Sequence, residues 1–252
     1  MNRSIIKKEF KESLFDSKGL WMIVAAACIL SGLCFLVVNM KEGSVLAQSD
    51  ILQYAIKAAL FLTLTVSMVL GSSSFVIERE ENTMESLLLT PVSKLSLAMA
   101  KYLGVMVIGV LLLASSIPYL IAIGAGSTLI PSAIFMLFFG GLLLLIAFVA
   151  VSLIFSILMN SSKASILTSI LIMIVLTFPA MIQGLFKLSP LGLFILKIDP
   201  VACCFNMMGK LLTDKVSFLS LGAYILPLIV FAAACMGLLV WLSGRIALKG
   251  ER

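Results

Sequence analysis

Charged side chains leave five long gaps in this chain. Lys18 and Lys41 enclose 22 uncharged residues, Lys57 and Glu78 enclose 20, Lys101 and Lys163 enclose 61, Lys163 and Lys187 enclose 23, and Lys215 and Arg245 enclose 29. A helix needs about 20 apolar residues to cross the hydrocarbon of a bilayer. Four gaps fit one helix each. The gap of 61 residues fits two, broken at GAGSTLIPS over 124–132, which carries turn chemistry. Six transmembrane helices are therefore predicted, near 20–39, 54–77, 98–123, 131–158, 164–186 and 220–243. Composition agrees, with 62% of the 252 residues hydrophobic and 12% charged, where a soluble domain has about a quarter charged. The predicted fold class is all-α integral membrane, a single transmembrane domain over 1–252.

Several classes of function fall away. The chain has no histidine, so the commonest general base and metal ligand is missing, and with it the zinc and serine–histidine forms of an intramembrane protease. Cys28, Cys34 and Cys235 lie in apolar runs, and Cys203 and Cys204 are adjacent. No spacing suggests a disulfide framework or a metal site. The net charge of +6 comes from Lys and Arg beside apolar runs, the pattern of membrane flanks rather than of a nucleic-acid patch. Nineteen residues with acidic Glu9, Glu12 and Asp16 precede the first span, which does not fit a cleaved signal peptide. No buried Asp, Glu, Lys or Arg falls mid-span, which argues against a proton or sodium relay.

With the N-terminus cytoplasmic, twelve Lys and Arg fall inside and six outside or near the outer surface. That bias places both termini in the cytoplasm. The loop after the second span, 78–96, is then cytoplasmic. Asn82 can N-cap a short helix there, with Glu85 completing a capping-box pattern. Glu80 and Glu81 suit a helix's positive end. Met84, Leu87 and Leu88 recur at helical spacing, and Thr90 and Pro91 end the helix and can start the next. The loop reads as a short amphipathic helix whose apolar face suits the chain's own helix ends, lipid headgroups or a partner.

Glu78-Arg79-Glu80, then Thr83, Glu85, Leu87-Leu88 and Thr90-Pro91, resembles the loop that marks ABC-2 type transporter permeases. Asn82 stands where that family usually has Gly. Elsewhere the likeness is one of layout: an N-terminal amphipathic segment, six helices, and a long outer segment before the last. KIDPVACCF also resembles the family's Asn-Pro element, with Asp199 in place of Asn. The resemblance implies a permease subunit, not itself an enzyme, in an ATP-driven exporter of the cell membrane. It implies that Glu78, Arg79, Glu80, Glu81, Asn82, Thr83, Glu85, Leu87, Leu88, Thr90 and Pro91 form a coupling helix docking on a separate ABC ATPase, present in two copies, which holds the ATP and Mg. This chain has no phosphate-binding loop of its own, because its one Gly-Lys pair, Gly209-Lys210, lacks the earlier glycine. It is expected to bind no cofactor and no metal. A non-transporting immunity or sensor subunit would share the same layout.

Residues 1–19 pattern as a basic amphipathic helix at the membrane surface. The outer segment 187–219 is too apolar for a solvated loop, and its two runs are too short to span. Two short re-entrant or interfacial helices are predicted, serving as a cap or a gate. Six helices enclose little space alone, so a second permease chain, identical or paralogous, is expected. Ser67, Ser72, Ser73, Ser165, Thr168 and Ser169 supply hydroxyls suited to lining a path for apolar or amphipathic cargo, such as a peptide, drug or lipid-like molecule, and equally suited to close helix packing.

Overall fold

The computed structural model describes residues 17–39, 45–84, 93–182, 190–213 and 221–244. These form helices α1 (Ser17–Asn39), α2 (Val45–Glu80), α3 (Lys94–Ser115), α4 (Ile117–Ile123), α5 (Ile130–Leu158), α6 (Ser162–Ile182), α7 (Pro190–Ile198), α8 (Pro200–Leu212) and α9 (Gly222–Ser243). There is no strand among the described residues. The expected N-terminal surface helix lies outside the described residues, apart from its last few positions, which belong to α1.

Among the described residues, five helical stretches can cross a membrane by length and composition: Ser49–Glu80, Lys94–Ile123, Ile130–Leu158, Ser162–Met181 and Gly222–Ser243. α1 has 23 residues, and its apolar stretch Trp21–Phe35 is shorter than these. α2 runs 36 residues, well beyond the predicted 54–77. At 1.5 Å per residue it is about 54 Å long, against a hydrocarbon core of about 30 Å, so its ends project.

The predicted span over 98–123 is present as Lys94–Ile123, but two helices build it. α3 stops at Ser115, and α4 begins at Ile117 with Pro118 in its first turn. Proline has no N–H to continue the α3 ladder. The Ser116 N–H donates to Leu112 O and Leu113 O, both at 3.2 Å, and its hydroxyl donates to Leu112 O at 2.9 Å. The turn expected within 124–132 does separate α4 from α5, with Gly126 at φ 87. The segment 187–219 contains two short helices, α7 and α8.

α5 is apolar all round, as a helix at the centre of a bundle must be. It packs against α2, α3, α6, α8 and α9, and Met136, Leu137, Leu145, Phe148, Val149 and Leu153 are fully buried. In lipid such contacts gain little from leaving water, so close backbone approach and dispersion hold the helices. Gly71 of α2 shows how close: a Cβ there would fall 2.0 Å from Ser152 Oγ. At Gly140 of α5 it would fall 2.7 Å from Cys204 Sγ of α8. α8 is thus inserted among the long helices, with Val201, Ala202, Cys203, Cys204, Met207 and Met208 all buried. The outer surface carries exposed Trp21, Phe35, Leu171, Phe178, Leu226 and Trp241, which suits a lipid solvent.

Candidate functional site

The end of α2 meets the turn between α5 and α6. An α-helix leaves its last carbonyls and first N–H groups without partners, and carries partial negative charge at its C-terminus and positive charge at its N-terminus. At 158–162 the C-terminus of α5 and the N-terminus of α6 lie side by side, so both charges appear within a few residues. Arg79 and Glu80 answer them in turn. Arg79 Nη1 donates to Met159 O at 2.7 Å, and Nη2 donates to Ile157 O at 3.3 Å. The Glu80 carboxylate accepts from the Ser162 N–H at 2.8 Å and from the Ser162 hydroxyl at 2.5 Å. Two neighbouring residues of opposite sign thus cap two helices of opposite polarity.

Glu78 binds a third helix. Lys101 of α3 places its ammonium 2.5 Å from Glu78 Oε1, with the two side chains 5% and 18% exposed. The same ammonium lies 5.3 Å from the centroid of the Phe75 ring. A buried pair of this kind is held by its geometry, and loss of one member would leave an uncompensated charge. Glu78, Arg79 and Glu80 together fasten the end of α2 to α3, α5 and α6. A turn earlier, the N–H groups of Phe75 and Val76 donate to Ser156 Oγ of α5, at 2.8 and 3.3 Å.

Beyond Glu80 the chain reverses at Asn82, whose φ is 57. The Thr83 N–H donates to Glu78 O at 2.9 Å, and the Glu81 N–H donates to Ile77 O at 2.8 Å. This is a left-handed closure of α2, in which the N–H two residues past the cap bonds the carbonyl five positions back. Asn82 was expected to N-cap the next helix; a helix N-cap takes extended backbone, and Asn82 instead finishes the preceding one. Asparagine is, after glycine, the residue best suited to this backbone region. Met84 is helical and fully buried, so the segment turns its first apolar side chain inward. Glu85, Leu87, Leu88, Thr90 and Pro91 lie outside the described residues. α3 then starts behind Ser93, whose hydroxyl accepts from the Ser96 N–H at 3.3 Å.

The candidate loop residues therefore divide. Arg79 is 3% exposed and faces inward, while Glu80, Glu81, Asn82 and Thr83 are exposed. Arg79 cannot touch a partner directly in this arrangement. Lys101, Ser156, Met159 and Ser162 belong to the site and were missed. Their only sequence signal was position beside a helix end or within an apolar run, and their partners stand 80 or so residues away in four of the five bonds.

The hydroxyls suggested for a path sit among packed helices. Ser67, Ser72, Ser165 and Ser169 are fully buried. Ser165 Oγ donates to Ser72 O at 2.7 Å, joining α6 to α2. Ser72 and Ser73 donate to Val69 O and Leu70 O within α2, each at 3.0 Å, and Thr168 donates to Ala164 O. Ser67 Oγ and Ser169 Oγ have no hydrogen-bond partner among the described residues.

At the other end of the bundle, Asp199 caps α8. Its Oδ1 accepts from the Val201 N–H at 3.1 Å, and burial pushes the carboxyl up to about 6. Among the described residues no cluster of acidic, Cys or His side chains could hold a metal ion.

A family model described as ABC-2 family transporter protein matches residues 6–180. The match takes in α1 to α5, most of α6 and the whole of the Glu78–Arg79–Glu80 site. No curated protein matches the chain.

Proposed function

The chain belongs to the ABC-2 family of transporter proteins, and on that premise we propose that it is a permease driven by a separate cytosolic ATPase. α1 is the sixth span in this reading, both termini are cytoplasmic, and the membrane is the cell membrane. Two permease chains, identical or paralogous, pair above two ATPase subunits that hold the ATP and Mg. The cargo is apolar or amphipathic and moves outward.

The observation that supports coupling at this loop is the fastening of α2. A push on a floppy loop dissipates in the loop. Here Glu78, Arg79 and Glu80 bind α3, α5 and α6 directly, so a force applied just beyond them reaches four helices as one body. Exposed Glu81, Asn82 and Thr83, with Leu87 and Leu88 further on, are the surface offered to the ATPase. Arg79 acts through the helices it caps.

The test is the double variant Leu87→Asp and Leu88→Asp. It inserts in the membrane normally and loses ATP turnover stimulated by transport in the assembled complex. Normal stimulated turnover in that variant overturns the coupling surface. Purification of the native chain from its membrane without any ATPase overturns the motor-driven reading altogether.

A further inference from the structure

Opposite the Glu78–Arg79–Glu80 site, about 35 Å along α2 by helix rise, lies a polar cavity of about 560 Å³. Asp50, Gln53 and Lys57 of α2, Asn206 and Lys210 of α8 and Tyr224 of α9 line it. Aromatic faces hold both cations. Lys57 Nζ lies 5.3 Å from the Tyr54 ring centroid and 5.1 Å from that of Phe205, and Lys210 Nζ lies 4.9 Å from that of Tyr224. Gln53 Nε2 donates to Thr213 Oγ1 at 2.9 Å and ties α2 to the end of α8. Rings attract a cation but accept no strong hydrogen bond from its three N–H donors. No oxygen among the described residues accepts one from Lys57. Among the described residues that line the cavity, two ammoniums stand with one carboxylate.

A second cavity, apolar and of about 320 Å³, lies on the adjoining face of α2. It is lined by Leu30 and Leu33 of α1, Ile51, Tyr54 and Ala58 of α2 and Tyr119 of α4, among others. At 3.6 residues per turn, Asp50, Gln53 and Lys57 share one face of α2, and Ile51, Ala55 and Ala58 share the next. Tyr54 stands on the border between them. Its ring carries the Lys57 ammonium and also lines the apolar cavity.

We propose that the two cavities together bind an anionic phospholipid, with its phosphate against Lys57 and Lys210 and an acyl chain in the apolar cavity. The polar half matches the phosphate by charge and by donors. The apolar half matches a chain that a free anion would lack. The position fits as well, because headgroups lie at the ends of a membrane-spanning helix. The inference rests only on the chain crossing a membrane and is independent of the ATPase reading.

The test is thermal unfolding of the full chain in a neutral detergent, with di-octanoyl phosphatidylglycerol, di-octanoyl phosphatidylcholine or inorganic phosphate added. Phosphatidylglycerol raises the midpoint in a saturable manner, and the other two do so weakly. Lys57→Gln lowers its apparent affinity about tenfold or more, as loss of a charge-assisted hydrogen bond requires, and Lys57→Arg keeps most of it. Leu33→Trp, which fills the apolar cavity, weakens phosphatidylglycerol and leaves inorganic phosphate unaffected. Equal shifts by the two lipids, or a phosphatidylglycerol shift that survives both Lys57→Gln and Lys210→Gln, overturn the site. A shift by inorganic phosphate as large as that by phosphatidylglycerol, untouched by Leu33→Trp, makes it a site for a soluble anion and overturns the lipid assignment.

Discussion

Arg79 and Glu80 are neighbours that each finish a different helix, and their order matters. The guanidinium can reach two carbonyls at once because its donors form a rigid fork. Lysine keeps the charge but has no fork, so Arg79→Lys leaves one of Met159 O and Ile157 O without its bond. Exposing or orphaning such a group costs about 1–3 kcal/mol. The expected outcome is a lower unfolding midpoint for Arg79→Lys in detergent, with a larger fall for Arg79→Ala. Glu80→Gln falls less than either, because an amide can still accept from the Ser162 N–H and donate to its hydroxyl. An Arg79→Lys protein as stable as the native one would show that the carbonyl bonds contribute nothing.

At the scale of the element, α8 depends on a cap that is also a titrating group. Asp199 is 7% exposed. Burial outweighs its backbone hydrogen bonds, and the carboxyl is held up at about 6 instead of the usual 3.8. The folded protein therefore favours the protonated acid. This contribution to stability is complete below about pH 4 and is lost as pH rises through about 6. Asp199→Asn keeps an oxygen for the Val201 N–H and cannot ionise. Compared with the native protein from pH 4 to 7, the variant shows no decline from this source, and its advantage in unfolding midpoint grows with pH. A constant difference between the two proteins across that range removes Asp199 as the titrating group.

For the whole molecule, the reading above fixes which end faces the cytoplasm. With all five native cysteines replaced, a cysteine at Thr213 is expected to react with a membrane-impermeant thiol reagent added from outside. A cysteine at Ser161 reacts only after permeabilisation. Both native positions are exposed in the structure, so burial does not confuse the outcome. Labelling of position 161 from outside inverts the molecule, moves the Glu78–Arg79–Glu80 site to the external face and ends the coupling argument with it.

Charge-free runs by themselves determined a helical membrane chain, because continuous apolar runs of about 20 residues satisfy their backbone in hydrocarbon as helices, whereas barrel strands are about ten residues long and alternate. They also located the turn before α5, and two short helices before the last span followed from runs too short to cross. Local patterning marked 78–96 as chemically distinct but misread the backbone at Asn82, assigning it to the start of a helix when it ends one. Spacing cannot distinguish these cases, since asparagine serves both and only φ separates them. The break at Ser116 has a sequence signal in Pro118, which a count of charge-free residues does not register. What only the tertiary structure decided is which ends meet. The partners of Arg79 and Glu80 are a carbonyl pair and a serine some 80 residues downstream, and backbone carbonyls carry no mark in a sequence. The serines at 72 and 165 likewise read equally well as path or as packing until two helices were placed together. Close approach of α2, α5 and α6 turned them into bonds between helices.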